Sequence, residues 1–508
     1  MLRVKAEILN FTFFAGLFLV VCMLLSACQP GPAAALFAPT PTVSSAKPDQ
    51  SLVDAGKLVL EPTPYPTRPM YGPGELVDYT AQAGDTIQAL AARFNTSADE
   101  ILAANTFIPK EASTMPAGMP MKIPIYYAPF WGSPYQILPD SLFVNGPAQV
   151  GFDTQAFVAE QPGWLNGYHT YAADDMRSGA EVIELVALTY SVSPRLLLAL
   201  LEYQSGALSQ PTPPPGMDIY PLGHQVGRYK GLYMQLIWAA NFLNNQYYAW
   251  RLGSLTIFEH PDGRLERPDP WQNATSVALQ IYFAQLYEDE AYQRAIAYDG
   301  LAQTYRSLFG DPWGTEAHIP GSLAQPDFRL PFTHGIAWAL TGGPHTAWGE
   351  GEPLAALDFA PGALTGGCTP TDEWATAVAS GVVVRSEPGT VVLDLDGDGD
   401  ERTGWVVFYF HIGTEGRAPL GAKLQTGDPV GHPSCEGGHA TGTHVHIARK
   451  YNGEWIPAYG PLPFNLDGWI AFGGAKPYQA TLVRDGVTVY ASQVGSFESR
   501  IIRQRSEP

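Results

Sequence analysis

Histidine is concentrated in the last third of the chain, where it could hold a metal ion or move protons. Seven of the eleven histidines lie beyond Pro320. Histidine is the commonest metal ligand in proteins, and it titrates near neutral pH. The most compact pattern is His444-Val445-His446, in the strand-like run THVHIARK. Residues i and i+2 of a strand project from the same face, so both imidazoles could reach one ion or one substrate.

Three further elements could complete a metal site with this pair. His345 follows the Gly-rich turn of GGPHTAW, Asp358 lies thirteen residues later in LAALDFAP, and His411 ends the strand-like run VVFYFHI. Together with GGHATGTHVHIA, these elements resemble the lysostaphin-like zinc endopeptidases that cut peptidoglycan peptides. The common form of that family has a histidine four residues before the Asp, where this chain has Leu354. The wider spacing is similar to the beta-lytic branch, and His334 remains an alternative to His345.

The resemblance implies a role for each of these residues. The implied zinc ligands are His345, Asp358 and His446, with a water molecule completing an open tetrahedral site. The ion would lower the pKa of that water and polarise the scissile carbonyl. His411 and His444 would take a proton from the water and stabilise charge on the carbonyl, in an order that the sequence leaves open. His432 and His439 have no family position and are expected to be structural.

The same part of the chain is predicted to form a mainly antiparallel β-sheet domain over 321–495. Strand-like runs occur at GVVVRSE, TVVLDLD, GWVVFYFHI and THVHIARK. Between two of them, Asp394, Asp396 and Asp398 match the first half of a calcium loop. The twelfth position of such a loop is normally Glu, but it is Trp405 here. A solvated acidic hairpin is therefore favoured over a Ca²⁺ site.

The N-terminus predicts a secreted protein. Basic residues precede a long apolar run, and the predicted signal at 1–28 ends in Leu-Ser-Ala before Cys28. This ending resembles a bacterial lipobox, which implies that Cys28 is lipidated; a plain transmembrane anchor is the alternative. The Pro-, Ser- and Thr-rich stretch at 29–75 is predicted to be an extended tether. In an oxidising compartment, Cys368 and Cys435 are expected to form a disulfide.

A small glycan-binding module is predicted at 76–126. The string YTAQAGDTIQALAARFNTSADEILAANTFIPKEASTMPAGMPMKIP contains a strand, a Gly-Asp-Thr turn, two helical patterns and a closing strand. It resembles LysM modules, which fold as strand, helix, helix, strand and bind glycans containing N-acetylglucosamine. The resemblance implies that peptidoglycan or chitin contacts the loops around Gly84, Asp85, Thr86, Asn105 and Ile108. The alternative is that the Gly-Asp-Thr turn only caps a helix.

The stretch at 140–320 is predicted to be an all-α domain. Apolar residues recur at three- and four-residue spacing in AEVIELVALTY, SPRLLLALLEY, GLYMQLIWAANFL and ATSVALQIYFAQLY. Two of these helices resemble the lysozyme-like fold of lytic transglycosylases, in which a Glu before Ser-Gly cleaves the glycan. This chain has Gln204 there, and an amide has no proton to donate and recover. Glu202 lies about 200° around the helix, so we expect no glycosidase activity. A role in gripping sugar and a role as a spacer both stay open.

The charge balance excludes nucleic acid as a partner. The 29 Lys and Arg residues stand against 49 Asp and Glu, and the net charge of −20 opposes phosphate contacts.

Taken together, these features predict a multidomain, membrane-tethered, cell-wall zinc endopeptidase with a LysM βααβ module, an all-α lysozyme-like domain and a mainly antiparallel β-sheet metallopeptidase domain. The alternative is a non-catalytic peptidoglycan-binding or hydrolase-activating envelope protein of the same fold. The complete set of implied ligands and flanking histidines favours the enzyme.

Overall fold

The computed structural model describes residues 68–126, 131–362 and 366–505 of the 508-residue chain. The predicted signal, the lipidation site Cys28 and nearly all of the predicted tether lie outside these ranges. Within them, none of the helices is both long enough and apolar enough to cross a bilayer.

The N-terminal module has the strand, helix, helix, strand order expected at 76–126. Its elements are β1 (Glu75–Thr80), α1 (Ile87–Phe94), α2 (Ala98–Ala104) and β2 (Pro120–Ile125). The side chain of Thr86 accepts a hydrogen bond from the Ala89 N–H and caps α1. Ser97 and Glu100 form a reciprocal capping box at α2. Strand β1 pairs antiparallel with β2, which closes the module.

The middle region is mainly helical, with one apolar core that Leu, Ala, Tyr and Trp side chains fill. Its helices are α3 (Thr154–Ala159), α4 (Gly179–Tyr190), α5 (Pro194–Ser205), α6 (Leu232–Leu252), α7 (Ala274–Ala284), α8 (Asp289–Ala295) and α9 (Leu301–Phe309). Helix α5 begins with Pro194 after the N-cap Ser193, and it ends at Gly206 in a left-handed conformation. Residues at the two ends therefore set where this helix begins and ends.

Two short β-hairpins interrupt the helical region, so the expectation of an all-α domain is not confirmed. They are formed by β3 (His169–Ala172) with β4 (Asp175–Ser178), and by β5 (Phe258–Glu259) with β6 (Leu265–Glu266). The first hairpin turns at Ala173 and Asp174, whose φ values of 46° and 62° suit a tight two-residue turn. Strands this short show too little alternation to be predicted from periodicity.

A nine-stranded antiparallel sheet dominates the C-terminal region. The strands of this region are β7 (Ala337–His345), β8 (Ala356–Pro361), β9 (Ala375–Thr376), β10 (Gly381–Glu387), β11 (Gly389–Asp394), β12 (Trp405–Ile412), β13 (Lys423–Leu424), β14 (Pro429–Gly431), β15 (Val445–Tyr451), β16 (Glu454–Trp455), β17 (Asn465–Leu466), β18 (Trp469–Gly473), β19 (Ala480–Arg484), β20 (Val487–Tyr490) and β21 (Arg500–Ile502). The order in the large sheet is β13-β10-β11-β12-β15-β8-β7-β21, and β16 also pairs with β15. The region also contains a four-stranded sheet, β17-β18-β19-β20, and the pair β14-β9.

The large sheet separates two hydrophobic cores, because successive residues of a strand face opposite sides. On β12, Phe408 and Phe410 belong to the core shared with the helical region, whereas Val407 and Tyr409 belong to the core of the sheet region. The same alternation on β15 places Ala448 toward the helices. One face of the sheet is thus covered by the helical region.

A buried ionic cluster joins all three regions. Arg251, at the end of α6, donates to Glu454 on β16 at 2.6 Å and to the carbonyl of Ala83 in the N-terminal module. His318 also lies 2.6 Å from Glu454, and Asp140 lies 3.9 Å from Arg251. Arg251 and Glu454 are both buried. Because the contacts within this cluster compensate for the desolvation of its charges, the cluster should make the three regions depend on one another.

We predict that Arg251→Met destabilises the protein by about 3–5 kcal/mol, because it leaves the Glu454 carboxylate buried without its cation. Urea denaturation followed by tryptophan fluorescence measures the change. The matched control is Lys122→Met, whose ion pair with Asp78 has side chains 53% and 88% exposed. That control should cost at most about 1 kcal/mol. Equal midpoints for the two variants would contradict the prediction.

Candidate metal centre

Four neighbouring strands of the large sheet bring the predicted site residues together. His345 ends β7, Asp358 lies in β8, His446 lies in β15 with His444 directly before that strand, and His411 lies near the end of β12. These strands are adjacent in the order β12-β15-β8-β7. A cluster that the sequence spreads over about a hundred positions therefore becomes a single patch on the sheet.

Three of these side chains converge on one point. Asp358 and His446 are directly paired across β8 and β15, so their side chains leave the sheet on the same face. The Oδ1 atom of Asp358 lies 3.2 Å from Nε2 of His345 and 3.4 Å from Nδ1 of His446. The two imidazole nitrogens lie 3.1 Å apart. All three residues are buried.

Backbone carbonyls set the orientation of both imidazoles. His345 donates from Nδ1 to the carbonyl of Gly343 at 2.8 Å. His446 donates from Nε2 to the carbonyl of Ala347 at 3.2 Å. A ring whose one nitrogen carries the donated proton presents the other nitrogen as a lone pair. His345 therefore offers Nε2 to the centre, and His446 offers Nδ1.

The geometry of this trio fits a tetrahedral cation such as zinc. Ligands bonded at about 2.0–2.2 Å in a tetrahedron lie roughly 3.3–3.6 Å from one another, close to the observed 3.1–3.4 Å. The buried Oδ1 atom of Asp358 accepts no hydrogen bond of normal geometry from the described residues. Two nitrogens and a carboxylate oxygen form a donor set that zinc accepts, with a position left for a fourth ligand. These three residues could therefore hold a catalytic metal ion.

A β-bulge turns His411 toward the same centre. Gly389 of β11 pairs with Ile412, and Thr390 pairs with Phe410, so His411 is the extra residue of β12. It adopts φ 60°, in the left-handed region that non-glycine residues rarely adopt. In a regular strand, His411 would point away from the face that Phe410 occupies. The bulge instead places its ring 4.5 Å from the ring of His444.

His411 and His444 flank the trio without joining it. His411 donates from Nδ1 to the carbonyl of Glu436 at 2.9 Å, and His444 donates from Nδ1 to the carbonyl of Gly442 at 2.7 Å. Each ring therefore presents Nε2 as its second nitrogen. Nε2 of His444 lies 3.7 Å from Oδ1 of Asp358. The two histidines form a pair of proton-accepting groups beside the trio.

The charges in this cluster depend on one another. Burial would raise the pKa of Asp358, but His345 and His444 outweigh it and hold that pKa well below its usual range. Burial would lower the pKa of His345, but Asp358 raises it. Burial and the neighbouring His444 lower the pKa of His411 to about 3. The centre thus contains an ionised carboxylate beside a neutral His411.

Aromatic side chains form the surroundings of the trio, and the sequence did not indicate their role. Tyr478 stacks on His345 with ring centroids 4.3 Å apart, and its side chain is 39% exposed. Phe410 lies across from His446 on β12, and Trp348 packs edge-on against Phe410. No local motif marks Tyr478, which reaches the site from the connection before β19.

Comparison with known proteins assigns the first two regions. Residues 79–124 match the family described as LysM domain, and residues 136–321 match the family described as LasA, N-terminal domain. The lysozyme-like assignment of the helical region is not confirmed. A different family thus accounts for the helices between the LysM module and the sheet.

Relatives identify the C-terminal region. Protease LasA of Pseudomonas aeruginosa is 26% identical over 354 residues, which span 65% of this chain and 78% of that protein. A beta-lytic metalloendopeptidase of Achromobacter lyticus is 29% identical over 150 residues, spanning 28% of this chain and 37% of that protein. The chain is a LysM protein with a lysostaphin-like metallopeptidase domain. Among solved structures, the deep-sea M23 metalloprotease pseudoalterin aligns with 35% of this chain and all of its own, at 23% identity and a TM-score of 0.29.

The predicted disulfide of the metallopeptidase domain is confirmed. Cys368 and Cys435 are bonded, with Cα atoms 5.7 Å apart. Thr443, which precedes His444, donates to the carbonyls of Gly367 and Thr369 on either side of Cys368. The disulfide therefore joins two segments that position the first residues of β15.

The other histidines of the metallopeptidase domain lie away from the trio. His334, the alternative to His345, is exposed and is not part of the described metal-type cluster. His432 donates to the carbonyl of Glu373 and packs on Trp374. His439 is exposed. Neither His432 nor His439 joins the cluster formed by the described residues.

The acidic insertion is a hairpin held by its own backbone. Asp394, Asp396 and Asp398 each accept a hydrogen bond from a backbone N–H two residues later. Gly399 also donates to Asp394. The carboxylates come within 4.8 Å of one another, but a self-bonded acidic turn needs no ion. Calcium is not supported at this hairpin.

In the LysM module, the residues predicted to contact glycan face inward. Asp85, Asn105 and Ile108 are buried. Asp85 pairs with Arg93 at 2.7 Å, and Asn105 bonds the backbone of α2 and of β2. Thr86 caps α1, and Gly84 lies directly against the guanidinium of Arg251. These side chains shape the two loops from inside.

The helical domain contains no carboxylate at the position of Gln204. Gln204 is buried, and its amide oxygen accepts a hydrogen bond from the Tyr287 hydroxyl. Glu202 accepts hydrogen bonds from Leu208 and Ser209, in the turn that follows α5. The carboxylate of Glu202 therefore bonds to that turn.

Proposed function

We propose that the chain is a cell-wall zinc endopeptidase that hydrolyses peptide bonds of peptidoglycan. The observation that carries the proposal is the convergence of His345, Asp358 and His446 beside two further histidines. Protease LasA and the beta-lytic metalloendopeptidases, to which the chain is similar, support the same class of reaction. The LysM module supports a cell-wall substrate.

In this proposal His345 Nε2, His446 Nδ1 and the Asp358 carboxylate hold the ion. A bound zinc ion supplies a water of lowered pKa and polarises the scissile carbonyl. The carbonyls of Gly343 and Ala347 keep the two ligand imidazoles in the tautomers that leave these nitrogens free. The chain therefore prepares the ligand set before the ion binds.

In this proposal His411 and His444 accept and donate protons during hydrolysis. Because both rings are anchored through Nδ1, each can accept a proton at Nε2 or donate one from it. One ring takes the proton of the attacking water. The other, once protonated at Nε2 to the imidazolium form, donates a hydrogen bond from Nε2 and stabilises the negative charge that develops on the carbonyl oxygen. Phe410 packs on His411, and Tyr478 stacks on His345, so aromatic rings border the site at these two histidines.

The LysM module would keep the enzyme on its substrate. The loops around Gly84, Asp85, Thr86, Asn105 and Ile108 would present their backbone to N-acetylglucosamine-containing glycan, since most of these side chains are buried.

Lipidation of Cys28 would anchor the chain to the membrane through the tether at 29–75. A Cys28→Ser protein should then leave the membrane fraction.

We predict that the helical domain cleaves no glycosidic bonds, because Gln204 has no proton to give to a leaving oxygen. The full chain, with its metal removed by a chelator, should release no new reducing ends from purified glycan strands. A lysozyme digest of the same strands serves as the positive control. New reducing ends or anhydromuropeptides from the chelated chain would contradict this prediction.

Hydrolysis of purified peptidoglycan tests the proposed function. The zinc-loaded full chain should release new amino termini, which can be labelled and identified by mass spectrometry. The same digest should stop when a chelator is added and resume with zinc. Binding without new amino termini would favour the non-catalytic, hydrolase-activating alternative.

A further inference from the structure

The connection between two of the proposed metal ligands is attached to the helical domain. His345 ends β7 and Asp358 lies near the start of β8, and residues 346–355 join the two strands. Because of this connection, Asp358 follows His345 by thirteen residues, whereas in the common lysostaphin-like pattern the histidine lies four residues before the Asp. It extends across the face of the sheet that the helices cover, and it reaches α6.

Two asparagines of α6 hold this connection by its backbone. The amide oxygen of Asn241 accepts a hydrogen bond from the Glu350 N–H at 2.8 Å. The amide of Asn245 is bidentate: it accepts from the Glu352 N–H at 2.9 Å and donates to the Glu350 carbonyl at 2.7 Å. Residues four apart lie on the same helical face, so the two asparagines act together.

Glycines bring the connection close enough for these bonds. Gly349 and Gly351 have φ values of 78° and 87°, which glycine adopts without strain. A Cβ atom at Gly349 would lie 2.3 Å from Oδ1 of Asn241, and one at Gly351 would overlap Oδ1 of Asn245. The backbone therefore fits against α6 only because both positions lack a side chain.

The held connection touches the metal centre directly. The carbonyl of Ala347 accepts the hydrogen bond from Nε2 of His446. The backbone N–H of Ala347 donates to the carbonyl of Pro353. Ala347 is buried among residues of the helical core. The next residue, Trp348, packs on Phe410, which faces His446. A shift of this segment would thus reorient His446.

We propose that Asn241 and Asn245 are positioning residues of the metal site. By fixing residues 346–353, they fix the Ala347 carbonyl that holds His446 with Nδ1 toward the ion. The helical domain then helps to set the affinity of the site for zinc, in addition to any contact that it makes with the cell wall. This inference rests on the proposed zinc site.

Zinc affinity of the full chain tests this role. The double variant Asn241→Leu/Asn245→Leu should bind zinc about 10–100-fold more weakly in competition with a chromophoric chelator, as expected when support for a ligand imidazole is lost. The visible spectrum of the cobalt-substituted variant should also shift. Hydrogen exchange of the Glu350 and Glu352 amides should accelerate, and this last readout needs no metal.

Two matched variants separate positioning from general damage. Asn241→Asp retains the oxygen that accepts from Glu350 and should keep zinc affinity near the wild-type value. Gln246→Leu makes a similar apolar change on the same helix without touching residues 346–353, and it should have no effect. Unchanged zinc affinity and cobalt spectrum in the double variant, with wild-type protein binding zinc, would overturn the inference. Failure of wild-type protein to bind zinc would overturn the proposed function as well.

Discussion

Replacing Asp358 by Ala is expected to abolish both zinc binding and peptide hydrolysis. Asp358 is the only carboxylate in the trio, and it lies within 3.4 Å of both ligand nitrogens. Its loss removes a metal–ligand bond and the negative charge that offsets the cation. The fall in zinc affinity should therefore exceed the roughly 10–100-fold expected for loss of a supporting residue.

Competition with a chromophoric chelator measures this loss, and circular dichroism shows whether the variant is folded. Asp396→Ala is the matched control, since this exposed carboxylate lies in the acidic hairpin. That control should retain zinc and turnover. A folded Asp358→Ala protein with wild-type zinc affinity would show that the trio does not hold the ion.

Replacing either flanking histidine is expected to stop turnover while the metal stays bound. His411→Asn and His444→Ala each remove a group that accepts or donates a proton at Nε2, so kcat should fall about 10²–10⁴-fold. Asn is chosen at position 411 because it tolerates the left-handed backbone found there. Zinc content should remain at the wild-type level in both variants.

Turnover of a labelled peptide and zinc content, measured on the same samples, test this prediction. His432→Ala is the matched control: His432 is also anchored through Nδ1 to a carbonyl, but it packs on Trp374 away from the trio. It should retain turnover. Loss of zinc from His444→Ala would make His444 a ligand, and normal kcat in either flanking variant would remove that residue from the mechanism.

Much of the candidate metal centre was predictable because its signals are local. A His-x-His pair in a strand places both side chains on one face, whatever the rest of the fold does. Runs rich in Val and aromatic residues around His411 and His446 predicted the strands that carry them. The N-caps Thr86 and Ser193 are likewise local, because each side chain accepts a hydrogen bond from a backbone N–H three residues later.

The remaining features depend on contacts between distant segments. The bulge that turns His411 inward has no signature in VVFYFHI, because it is defined by the pairing of β12 with β11. Tyr478, which stacks on His345, lies 133 positions from it, and Asn241 and Asn245, which hold the connection after His345, lie 104 and 100 positions from it. The lysozyme-like fold predicted for the helical domain is not confirmed, because amphipathic helices of similar length and spacing occur in more than one α-helical fold.

We propose that His345, Asp358 and His446 hold one zinc ion. An anomalous difference map of the zinc-loaded full chain, recorded at the zinc absorption edge, tests it most directly. We expect one peak per chain within about 2.0–2.2 Å of His345 Nε2, His446 Nδ1 and an Asp358 oxygen. A map with no peak there, or with its peak at His334 or at the acidic hairpin, would contradict it.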